Sequence, residues 1–388
     1  MIPWDQWNQK LTTGFASGEV GNVIYGQANS GNVQSGYLEP LDDYVTPEIL
    51  GNWLPGLQAG VTYFGRIYAL PTATNPHFTT FSATALEKWG TPELMTDVGT
   101  DRGKVTFDMI MEAGKKFGDK ATRYFWGVPC DHGSILYWMF GSWLEGWGVK
   151  SWDDAEERWQ AADSPDAVAA FQWCVDAAAA GVMPPGAMLP KWSDIDNLLW
   201  TENLGGRLQW AGMQTELETA QAAGQASKDF KLFYAAFPHK EGLGPFATGM
   251  APIVYTVGKT AKPAVREASF QYANFLSGGD DAAQISWLIE GAFPGTKSGV
   301  KATEGHPKLS DPNIKWVLNT LMTQYKPEIT GGNWQPVTNA RSNKIFFTLD
   351  VWNYFVQQFQ SLMLGQKTAE EMLKEIATKI NTALGATV

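Results

Sequence analysis

Trp210, Gln214 and Thr215 fall within residues 203–218, NLGGRLQWAGMQTELE. A glycine stop at Gly205 and Gly206 precedes a short strand with Leu208 and Trp210 on one face. A small-residue turn follows, and a helix opens at Gln214 and Thr215. First-turn N–H groups have no partner inside their own helix, so a strand running into a helix start offers donors to a ligand. Trp210 adds a flat apolar surface with one polar edge. The chemistry this allows is non-covalent capture, with plain core packing of Trp210 as the alternative. Covalent and metal chemistry have no comparable pattern. GxSxG, HExxH and P-loop motifs are missing. His77, His132, His239 and His306 lie scattered without zinc spacing. There is no CxxC; Cys130 and Cys174 could pair in an oxidising compartment, which spacing does not show, and the helical run FQWCVDAA around Cys174 favours two buried thiols. No catalytic residue, metal ligand or cofactor is expected.

Elements must place those residues. At 388 residues the chain exceeds one core's usual reach, so two lobes are expected. A composition of 44% hydrophobic and 18% charged residues excludes disorder, and no uninterrupted apolar run is long enough for a membrane span. The net charge of −11, with no basic block, argues against a nucleic-acid partner. A helix over 1–18 has Trp4, Trp7, Leu11 and Phe15 at 3-4-4 spacing and stops at Gly18. Strands follow at 22–25, at 66–70 ending on Pro71, and at 78–81 after a polar loop over 72–77. Thr106 caps a helix to residue 117, with Ile110, Ala113 and Phe117 on one face. A strand at 124–128 leads to an aromatic block over 132–152. The next helix starts at Ser164-Pro165, turns Val168, Phe171, Val175 and Ala178 inward, and stops at Gly181. Ser193 with Asp196 resembles a capping box. Strands at 232–237 and 250–257 precede helices over 263–276 (Val265, Ala268, Tyr272 and Phe275 inward) and 280–290. Helices over 344–364 and from the Thr368–Glu371 capping box onward close the chain. Alternating strands and helices imply α/β architecture.

Six segments in this order resemble the extracellular solute-binding proteins (family 1) of bacterial ABC importers, the sugar-binding family that includes the maltose-binding protein. They are QKLTTGFASGEVGNVIYG (9–26), GYLEPLDDYV (36–45), GRIYALPT (65–72), NLGGRLQWAG (203–212), ANFLSGGDDAAQ with EGAFPGTKSG (273–299), and LGQKTAEEMLKEIATKI (364–380). Gly21-Asn22 stands where the family usually has Pro-Asp. The opening helix resembles one that the family places after an export signal, first strand, first helix and second strand. The resemblance therefore implies a two-lobe periplasmic-binding-protein-like fold (type II), its first lobe incomplete at the N-terminus, with a ligand cleft between the lobes. The implied lobes are 1–83 with 250–299 and 84–249 with 300–388. Their crossings fall near Phe81-Ser82, Ala247-Thr248 and 296–312.

The resemblance further implies a monomer that binds a sugar or oligosaccharide and docks on the transmembrane subunits of an ABC permease. It would work in the periplasm or outside the cell, free or lipid-anchored. Sugar recognition needs flat apolar faces for C–H surfaces and planar polar groups for hydroxyls. The loops after strands, the usual ligand location in open α/β sheets, supply both. Tyr25 and Gln27 follow the first strand, and Asn75 and His77 follow the strand ending at Pro71. Asp131, His132 and Trp138 follow the strand at Trp126-Gly127. Trp210, Gln214 and Thr215 come next, then Phe293, then Trp334, Gln335 and Arg341. Bland readings stand beside them: His132 on the surface, Trp138 in a core cluster, Arg341 paired with a surface carboxylate. Trp334, in a Gly/Asn loop, is the hardest to explain as core. The alternatives are a binding protein for a non-sugar solute, a truncated reading frame, or a carbohydrate-active enzyme. A glycosidase needs two carboxylates about 5–10 Å apart. The run Asp153-Asp154-Ala155-Glu156-Glu157 reads instead as a solvated helix start.

Overall fold

A computed structural model describes residues 4–26, 30–54, 57–74, 76–100, 102–130, 141–153, 156, 158–186, 188, 190–210, 212–244, 253–259, 262–279, 292–321 and 349–384. Its strands are β1 (Val23–Gly26), β2 (Thr62–Tyr63), β3 (Arg66–Ile67), β4 (Ala69–Thr74), β5 (His77–Ser82), β6 (Tyr124–Gly127), β7 (Trp152–Asp153), β8 (Arg158–Trp159), β9 (Leu204–Trp210), β10 (Leu232–Ala235), β11 (Ile253–Val257) and β12 (Phe293–Pro294). The chain forms two compact units. One comprises Met1–Asn75, Gly249–Ser310 and Glu328–Leu349; the other comprises Pro76–Thr248, Asp311–Pro327 and Asp350–Val388. The first changeover precedes the expected crossing at Phe81-Ser82, because both residues are built into β5 and pair with Phe233 and Leu232 of β10. Residues 300–310 also sort with the first unit, where the sequence reading placed 300–388 in the second.

The first unit carries a sheet in the order β1-β11-β4-β12, antiparallel throughout. Successive strand side chains point to opposite faces. Ile24 accordingly packs with Phe15, Val33, Leu38 and Tyr63, while its neighbour Val23 packs with Leu70, Val254, Val257 and Phe270. The strand does not end at Pro71. β4 runs through it, and the register with β11 slips between Ile253 and Val254 opposite that point, a bulge that accommodates a residue with no N–H to give. The helix Trp4–Ser17 stops as expected, with Gly18 at φ +72°. The helix Pro263–Asn274 presents a different face from the expected one. Ser269, Phe270 and Ala273 are buried, whereas Tyr272 and Phe275 are 56% and 47% exposed.

The second unit's sheet runs β10-β5-β9-β6, with β9 and β6 parallel and the other pairs antiparallel. Every residue of β5 is buried. Gly205 and Gly206 are not a stop; they lie inside β9. A Cβ on Gly205 would sit 2.7 Å from the Phe125 ring, and one on Gly206 2.4 Å from the Phe81 ring, so only glycine lets β9 pass between them. Thr106 caps the helix Phe107–Phe117 as read, accepting from the Met109 N–H. That helix buries Gly114 rather than Ala113, since Val182 presses against it. The helix Pro165–Ala180 ends at Gly181 (φ +79°) but is rotated from expectation. It buries Ala167, Ala170, Phe171, Trp173, Cys174 and Ala177, while Val168, Val175 and Ala178 are half-buried. The Thr368–Glu371 capping box forms in both directions and starts the helix Ala369–Leu384. On that helix Asn381 holds the Trp159 N–H and C=O at 2.8 and 3.0 Å, pinning the β7–β8 hairpin. Cys130 and Cys174 are buried free thiols, as read. No helix among the described residues is long and apolar enough to cross a membrane.

Candidate functional site

Two candidate residues meet at the end of the second unit's sheet. His77 opens β5, Trp210 closes β9, and the two are register partners. His77 is therefore a strand residue rather than part of the 72–77 loop, and it is 5% exposed. Burial pushes its imidazole down to about 4, so it is neutral at physiological pH and can donate through one nitrogen and accept through the other. Gln214 and Thr215 lie half-buried in the first turn of the helix Met213–Ala222, whose N-cap, Gly212, gives no side-chain bond. The fully buried Tyr234 phenol of β10 faces the backbone of Gln214, and burial holds it well above the ordinary tyrosine range.

Beneath this corner lies a charge that the sequence reading missed. Arg207 of β9 is fully buried. Its Nη1 donates to the Asp196 carboxylate, and its guanidinium carbon sits 4.0 Å from the centre of the Trp192 ring. Trp192 also donates to Asp196, whose carboxyl is pushed up by burial and pulled back by Arg207. Asp196 is thus an ion-pair partner and not a capping residue. The cap of the helix Trp192–Trp200 is made by Asp194, which accepts from the Lys191 N–H at 2.8 Å. A sequence signal for the pair did exist: a lone arginine inside a run of glycine, leucine and tryptophan must be buried if that run is a central strand.

In the first unit, Tyr25 lies within β1 rather than after it, half-buried, with its ring centre 5.4 Å from that of its register partner Tyr255. Tyr25 also lines a small pocket with Leu11, Phe15, Asn32 and Thr256. Phe293 is buried in β12 opposite Thr74. Gln27, Asn75, Asp131, His132, Trp138, Trp334, Gln335 and Arg341 lie outside the described residues. Within the aromatic block, Trp143 and Trp147 serve the interior, with ring centres 4.6 and 5.1 Å from that of Phe107. No cluster of three or more His, Cys, Asp or Glu able to hold a metal occurs among the described residues.

The sequence model of the bacterial extracellular solute-binding proteins matches residues 1–313. The chain belongs to that family. Its fold is that of the family's two-lobed α/β members. One similar structure is an ABC-transporter solute-binding protein of Thermotoga lettingae bound with α-D-tagatose. The TM-score is 0.76 at 19% identity, covering 98% of this chain and 90% of that one. Maltose-bound MalE3 of T. maritima gives 0.71 at 22% identity, covering 97% and 88%. UgpB of Mycobacterium tuberculosis in complex with glycerophosphocholine gives 0.72 at 16% identity, covering 99% and 88%.

Proposed function

We propose that this chain is the substrate-binding component of an ABC importer, taking up a sugar or oligosaccharide and delivering it to a membrane permease outside the cytoplasm. The reading is carried by family membership over residues 1–313. It is supported by what two similar proteins hold, tagatose in one and maltose in the other. The corner formed by His77, Trp210, Gln214 and Thr215 fits it chemically, joining a neutral imidazole and first-turn amides to an indole-bearing strand end. The chain holds its ligand without altering it, and pure protein is expected to release no reducing sugar from oligosaccharides.

Isothermal titration against a panel holding tagatose, maltose, longer glucans and glycerophosphocholine tests the assignment. Saturable heat with at least one sugar is expected. Heat with glycerophosphocholine alone would move the ligand to the non-sugar solutes, the second reading that the UgpB likeness favours, and would leave the transport class standing.

A further inference from the structure

We propose that Arg207 is a positioning residue, holding the end of β9 and the first turn of the helix Met213–Ala222 in the geometry that grips ligand. The inference rests on the functional reading above, since it concerns the same corner. A buried guanidinium loses its hydration, and pairing seldom returns the whole loss; an apolar trio of similar volume would pack this spot at least as stably. What the trio Arg207–Asp196–Trp192 provides that apolar groups do not is direction. The plane of the guanidinium is fixed twice, at one edge by the Asp196 carboxylate and on its face by the Trp192 ring at 4.0 Å. Both partners belong to the helix Trp192–Trp200, so one side chain sets the strand's rotation against that helix.

The position along the strand matters too. Arg207 pairs with Thr80 across β5 and with Gly127 across β6, three residues before the His77–Trp210 pair. A Cβ on Gly127 would come within 2.9 Å of Leu204 and 3.0 Å of Ile195, so the sheet and this helix are already in close contact there. A shift of the helix would be passed to the strand end rather than absorbed. Among the described residues, Arg207 Nη2 and Thr80 Oγ1 find no protein partner, although both are buried. As direct cross-strand partners the two groups share one face of the sheet, which sets β5 beside the same anchor.

The test compares wild type with the apolar swap Arg207→Met/Asp196→Leu, with Arg207→Lys, and with Asp196→Asn in case the swap does not fold. Three quantities are read: the denaturant midpoint, sugar affinity by titration with the panel above, and amide hydrogen exchange at 208–210 and 213–216. The swap is expected to keep or raise the midpoint, weaken sugar binding at least tenfold, and speed exchange at those amides relative to the rest of the sheet. Lysine, which has charge but no plane, is expected not to restore affinity. A folded swap with unchanged affinity and unchanged local exchange would overturn the proposal, and so would Asp196→Asn if it alone folds and shows the same. Should wild type bind no sugar, the functional reading fails separately, and the exchange comparison still decides whether Arg207 holds the corner.

Discussion

Arg207 and Arg66 both sit on strands and both pair with an aspartate, yet they live in opposite surroundings. In the second unit, Arg207 is fully buried against Asp196 and a tryptophan face. In the first unit, the Arg66 side chain is 47% exposed, its Nε 3.0 Å from Asp42, whose other oxygen takes the Ile67 N–H at 3.1 Å. The difference follows from what covers each strand. β3 belongs to a two-stranded ribbon, whereas β9 lies inside a four-stranded sheet with a helix packed over it. A charge on the ribbon stays hydrated and contributes little whether paired or not. A charge under the helix depends wholly on its partners. Arg207 is therefore held where its geometry is fixed, and Arg66 where it is free to move.

Three substitutions break or sharpen this contrast. The largest effect is expected from Arg207→Ala, which leaves Asp196 poorly solvated and unpaired and should cost about 3–5 kcal/mol of unfolding free energy by denaturant titration. Next comes His77, also buried in the second unit. The folded protein keeps its imidazole neutral down to about pH 4, whereas the unfolded chain takes up that proton near 6.5. The unfolded state binds more protons in between, so the stability contributed by a neutral His77 is whole above about pH 6.5 and is lost as pH falls towards 4. The loss is about 3 kcal/mol, and His77→Leu should remove that part of the wild-type pH dependence. The smallest effect is expected from Arg66→Ala in the first unit, within about 1 kcal/mol and shrinking further in high salt. An Arg66→Ala loss comparable to that of Arg207→Ala would erase the contrast.

Local signals carried much of the fold. Thr106, the Thr368–Glu371 box, Gly18 and Gly181 mark helix ends through bonds or dihedrals that span a few residues, and each does so in the structure. Gly205 and Gly206 were legible as special but not as strand interior, because the reason for them is the Phe81 and Phe125 rings, far away in sequence. Helix faces misled in the same way. Tyr272 and Phe275 repeat at a helical spacing that looks inward, yet the sheet meets the neighbouring stripe of Phe270 and Ala273. Of the candidate corner, Trp210, Gln214 and Thr215 were named from types and spacing, and the structure sets Trp210 opposite His77. Asp196 was misread as a cap, because a carboxylate near a helix start serves equally as cap or counter-ion.

Taken alone, the order of residues determined the α/β alternation, the places where helices begin and stop, and the family to which the chain is related. These depend on backbone conformations and patterns that neighbours along the chain decide. The tertiary structure alone decided which strands pair, such as β1 with β11, which joins Tyr25 to Tyr255. It also decided which helix stripe is covered and which arginine loses its water. Burial and desolvation depend on groups brought together from distant parts of the chain, and no short stretch of sequence contains them.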